Sequence, residues 1–253
     1  MARVSICGLV PIAPIGQHTV GGEMEKQTQS KDWAGTLAGP STRRQFLQRT
    51  AAGVAIVAIP SALSGCHVLG AVGRPKLDFG DDFGVLNYAY ALETLEAKFY
   101  QTIVKSPPRD LKPGEFEILR DIGAHEVQHR RFFKRALGVL RIKVPEIDLS
   151  SIDFTPRDSV LAQARTFEDT GVAGYNGAGR RLKLAEFLTI AGKIVSVEAR
   201  HAATIRDMID PGSRAFAGDD VVDETGRDRA LAPLEVLTMV QPFFKSRLVI
   251  AGL

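Results

Sequence analysis

The sequence predicts an all-α fold: a four-helix bundle of two antiparallel hairpins joined by one long crossover, with a short C-terminal helix. Three observations predict it. Apolar residues recur at helical spacing in four long stretches, each ended by Pro, Gly or polar residues. A segment without that period, about residues 138 to 156, separates the second stretch from the third. Finally, Glu-x-x-His occurs twice, once in each half. An up-down-up-down bundle would not need the crossover.

Of the 253 residues, 45% are hydrophobic and 24% charged, which suits an ordinary globular chain and excludes a disordered or collagenous one. The net charge of +3 is misleading. Six of the 32 Lys and Arg and three of the 29 Asp and Glu precede Cys66, leaving 26 of each sign after it. A balanced chain lacks the basic footprint of nucleic-acid binding. Only Cys7 and Cys66 are present, both ahead of the helices, so a disulfide framework and a Cys-based zinc site are excluded from the domain.

Residues 1 to 66 read as a leader. Arg43 and Arg44 precede an apolar run from Ala51 to Leu63, the layout of a signal peptide, and the pair resembles a twin-arginine signal. The run is too short for the roughly 20 residues of a spanning helix. Leu63-Ser64-Gly65-Cys66 resembles the lipobox of bacterial lipoproteins, which makes Cys66 the expected acylated residue and simple cleavage the alternative. The expected partners are therefore the twin-arginine export machinery and a membrane reached through a lipid anchor, with location in the periplasm or cell envelope. Met24 is an alternative start, and residues 67 to 79 read as a linker to a domain over 80 to 253.

Helix one is expected over Asp81 to Lys105, with Leu86, Tyr90, Leu92, Leu95, Phe99 and Ile103 in register before Pro107-Pro108. Helix two, Pro113 to Leu137, opens with a proline and acidic Glu115 and Glu117, and closes with Arg130, Arg131, Lys134 and Arg135. The crossover carries alternating Ile142, Val144, Ile147 and Leu149. Helix three is expected over Arg157 to Asn176, with Gly177 and Gly179 marking the turn, and helix four over Leu182 to Met208. Leu234 to Phe244 supplies the short closing helix.

Helix two contains His125-Glu126-Val127-Gln128-His129 and helix four Glu198-Ala199-Arg200-His201. At i and i+3 a carboxylate and an imidazole share one helix face and can hold a first-row metal ion together. Helices one and three add Glu93 and Glu168, each followed seven residues later by a tyrosine, Tyr100 and Tyr175, on the same stripe. The midpoint between 93 and 126 falls in the Pro107–Asp110 turn. That between 168 and 198 is residue 183, just beyond the turn expected there. Glu96 is a further candidate, open as ligand, as partner of a ligand or as an exposed charge. His125, about 100° round the helix from Glu126, is expected at the surface. Tyr100 and Tyr175 are core aromatics or hydrogen-bond donors to the ligands.

Leu-Glu-Thr-Leu-Glu-Ala-Lys-Phe-Tyr, His-Glu-Val-Gln-His, Phe-Glu-Asp-Thr-Gly-Val-Ala-Gly-Tyr and Val-Glu-Ala-Arg-His together resemble the ferritin-like superfamily. Within it they resemble the exported bacterial ferritin-like domain proteins related to plant desiccation-associated proteins, over about residues 80 to 245. The resemblance implies a ferritin-like bundle with Glu93, Glu126, His129, Glu168, Glu198 and His201 as ligands of two metal ions, Glu126 and Glu198 bridging. Iron ranks ahead of manganese, with zinc a substitute. It implies redox chemistry on Fe(II), O2 or peroxide; the alternative is a non-enzymatic envelope stress, desiccation-related or metal-binding protein whose site is structural or vestigial. A monomer or dimer is expected, since an anchored chain with a long leader is poorly placed to build a closed shell.

Overall fold

The structure, a computed structural model, describes residues 76–253. The signal arginines Arg43 and Arg44 and the lipobox Cys66 lie outside the described residues. In chain order come β1 (Lys76–Asp78), α1 (Asp82–Lys105), α2 (Glu115–Leu137), α3 (Arg157–Gly179), α4 (Ala185–Ile209), α5 (Pro233–Val240) and β2 (Val249–Ala251). Among the described residues no helix is long and apolar enough to cross a membrane.

Asp81 caps α1 by accepting from the Gly84 backbone N–H at 3.0 Å, and the helix ends just ahead of Pro107-Pro108. α2 begins two residues after the expected Pro113, behind Gly114 at φ 87°. The larger departure is in α3, which runs through Gly177 to Gly179 instead of turning there. A Cβ on Gly177 would lie 1.7 Å from the Leu231 carbonyl oxygen, and the Leu231 N–H donates to Ala173 O at 2.9 Å. The glycine is there to let another strand of chain approach, not to stop the helix. With the turn moved to residues 180–184, the midpoint at 183 falls inside it.

The helix directions follow from which residues meet. Gly123 of α2 lies against Tyr100, its absent Cβ 2.7 Å from the tyrosine Cβ, while His129 lies near Glu93, so α1 and α2 are antiparallel. Tyr100 meets Glu168 and Tyr175 meets Glu93, so α1 and α3 are antiparallel too, and α2 therefore runs parallel to α3. The crossover that this needs is held at its start by Asn87, whose amide donates to Leu140 O at 3.0 Å and whose oxygen accepts from Ile142 N at 2.8 Å. Ile142, Val144, Ile147 and Leu149 then lie half-buried against the core, which centres on Leu95, Phe99, Tyr100, Leu119, Leu161 and Ile205.

Asp82 ties the second turn to the start of α1, accepting from Lys183 N at 2.8 Å and Leu184 N at 2.9 Å. At the opposite end the buried Arg157 grips Glu115 through contacts of 2.6 to 3.1 Å and donates to Met208 O at 2.6 Å. β1 pairs in parallel with β2, Leu77 opposite Ile250, and buries Leu77 completely. The expected linker boundary at residue 80 thus falls just after a strand.

Candidate metal centre

Each of the four long helices delivers one glutamate from near its midpoint: Glu93 from α1, Glu126 from α2, Glu168 from α3 and Glu198 from α4. All four are fully buried. Because the helices are of nearly equal length and packed side by side, their midpoints form one layer across the bundle. His129 and His201 follow one turn after Glu126 and Glu198 and point into the same layer.

Two groups of four result, in each of which one ligand atom per residue lies within 4.8 Å of the others: Glu93, Glu126, His129 and Glu198, and Glu126, Glu168, Glu198 and His201. The shared carboxylates divide their oxygens between the groups. His129 Nδ1 lies 3.5 Å from Glu126 Oε2 and 2.7 Å from Glu198 Oε1. His201 Nδ1 lies 3.0 Å from Glu126 Oε1 and 3.8 Å from Glu198 Oε2. Glu93 Oε2 completes the first group 3.4 Å from His129, and Glu168 Oε2 the second 3.5 Å from His201.

These approaches are close, yet they do not have hydrogen-bond alignment. Both oxygens of Glu126 and of Glu198, one each of Glu93 and Glu168, and Nδ1 of both histidines are buried with no hydrogen-bond partner. Buried polar atoms are ordinarily paired. Donor atoms that crowd a common centre without aiming at one another could hold metal, and a donor set of carboxylate oxygen and imidazole nitrogen is compatible with metal binding.

Without cations the charges distort one another's proton affinities. Burial and the surrounding carboxylates, Glu198 first, push Glu93 well above its ordinary value. Burial, helped by Glu126, raises Glu168 to about 8 against the pull of His201. Glu126 moves the other way, to about 2, because the imidazoles of His129 and His201 outweigh its burial. Burial opposes protonation of His201, but Glu126, Glu168 and Glu198 overcome it and hold the imidazole up at about 12; His129 is raised likewise.

The tyrosines pair crosswise. Tyr100 of α1 donates to Glu168 Oε1 of α3 at 2.5 Å, and Tyr175 of α3 donates to Glu93 Oε1 of α1. Each leaves the other oxygen of its carboxylate facing the centre. Glu96 is only 3% exposed, which removes the surface reading; it stands outside both groups of four. His125 is exposed, as expected, but not idle: its Nδ1 lies 3.0 Å from His201 Nε2, with the two rings stacked at 6° and 5.2 Å between centroids. Sequence reasoning missed this contact, since nothing in the spacing of α2 announces which residue of α4 reaches past it.

Comparison with curated proteins gives no match. The family model of the ferritin-like domain matches residues 81–211, from the cap of α1 to just past the end of α4, and so takes in all six expected ligands. The match spans more than half of the chain. On that match, and on a bundle whose crossover makes its two middle helices parallel, the chain belongs to the ferritin-like domain family.

Proposed function

We propose that this chain is an exported protein of the cell envelope whose bundle holds two metal ions, iron ahead of manganese, for redox chemistry on Fe(II), O2 or peroxide. The observation that carries the reading is the division of the Glu126 and Glu198 oxygens between two four-residue groups. Glu93 and His129 would hold one ion, Glu168 and His201 the other, with Glu126 and Glu198 between them. The ions would supply one-electron oxidation and reduction. The protein's part is to fix the ligands, exclude water from the buried carboxylates, and hold Glu93 and Glu168 by Tyr175 and Tyr100. Arg43, Arg44 and the Leu63–Cys66 motif support export and anchoring.

Complete burial of all four glutamates favours a second reading, a metal-stapled bundle without turnover. Elemental analysis of the full chain decides first, beside Glu126→Ala, Glu198→Ala. About two Fe or Mn per chain, lost in the variant, is the expected result; an empty protein after anaerobic Fe(II) loading would sink the proposal. Peroxide added to the loaded protein then separates the readings. Oxidation of its Fe(II) faster than that of free Fe(II) supports turnover, and oxidation no faster supports the staple.

A further inference from the structure

The centre is nearly two-fold symmetric in sequence as well as in space. Glu93 and Tyr100 of α1 correspond to Glu168 and Tyr175 of α3, each by a shift of 75 positions, and Glu126 and His129 of α2 to Glu198 and His201 of α4 by a shift of 72. The crossed tyrosine bonds and the divided oxygens obey the same relation. Among the carboxylates crowded at the centre, one breaks it. Under the shift that relates α1 to α3, Glu96 corresponds to Gly171.

The two are in contact. A Cβ on Gly171 would stand 2.9 Å from Glu96 Oε1 and 3.8 Å from Glu198 Oε2, so the room that a side chain on α3 would take is occupied by the Glu96 carboxylate. Glu198 Oε2 is the oxygen that faces His201, which places Glu96 beside the second group. Glu96 is 3% exposed, and its Oε2 has no hydrogen-bond partner. Its charged neighbours are the carboxylates of Glu198, Glu126, Glu93 and Glu168. A carboxylate so placed is costly as an anion, and as a neutral acid it still lacks a partner for Oε2.

We infer that Glu96 is a seventh ligand residue of the centre, admitted by Gly171 and joining the His201 side, so that the two metal positions are unequal. The inference rests on the two-metal reading above. Two positions built from matched sets would bind with similar strength; a fourth carboxylate beside the three of one set raises its negative charge and its affinity for a divalent cation.

Mn(II) titration of the full chain, followed by calorimetry and by the electron paramagnetic resonance of the free ion, tests this in wild type, Glu96→Gln and Gly171→Ala. Glu96→Gln keeps the shape and removes the charge. Gly171→Ala keeps the charge and displaces it. Both are expected to weaken one of two Mn(II) equivalents by about 10- to 100-fold and leave the other within about twofold. Unchanged binding in both variants, or equal weakening of both equivalents, overturns the inference. Failure of the wild type to bind Mn(II) or Fe(II) overturns the two-metal reading instead.

Discussion

Tyr175 and Tyr100 each spend their only hydroxyl proton on a carboxylate of the facing helix, and so decide which oxygen of Glu93 and Glu168 is left for the centre. Tyr175→Phe would leave Glu93 Oε1 buried without a donor and its carboxylate free to rotate. Metal affinity should fall by about 10- to 100-fold with little change in helix content, which metal titration beside circular dichroism checks. The seven-residue interval between glutamate and tyrosine was readable because two helical turns put both on one stripe. The crossing was not, because period alone says which residues share a face and nothing about the helix opposite. The same limit hid His125. Its angle from Glu126 places it at the surface correctly, while its contact with His201 depends on how closely α2 and α4 pass.

Helices one, two and four were legible to within a few residues, since proline pairs, first-turn acids and apolar period agree at their ends. α3 was not, because Gly177 looks like a stop signal until the Leu231 backbone is seen lying on it. Gly177→Ala should therefore destabilise the protein by about 1–3 kcal/mol or more despite the better helix propensity of alanine, read as a lower urea midpoint. Glu115 was legible as a first-turn acid and nothing more. It is instead the buried partner of Arg157, joining α2 to α3, and Arg157 holds Glu115 below the usual carboxylate range. Glu115→Ala leaves a guanidinium at 9% side-chain exposure with only Asp158 and the Met208 carbonyl as partners, for an expected loss of about 1–3 kcal/mol in urea denaturation.

Across the whole molecule the centre sets the response to pH. In the metal-free protein Glu168 is raised to about 8 and His201 to about 12. Both folded values exceed the unfolded ones, so their contributions are present in full below the unfolded values and are lost as pH rises toward the folded ones. Glu126, depressed to about 2, contributes nothing that changes near neutrality. Metal-free protein should thus melt at a lower temperature at pH 8 than at pH 6. Metal binding requires the same groups deprotonated, so the loaded protein should show the opposite slope. Calorimetry at both pH values, with chelator and with Mn(II), checks the inversion. One further consequence concerns time. β1 packs on the start of α1, but its hydrogen-bonding partner β2 follows every described helix, so during synthesis the edge of β1 stays unpaired until the whole bundle has been made. Among the described residues the strand pair joins the most distant parts of the chain and closes late, after the helices have nucleated, which makes it a latch on an already assembled bundle.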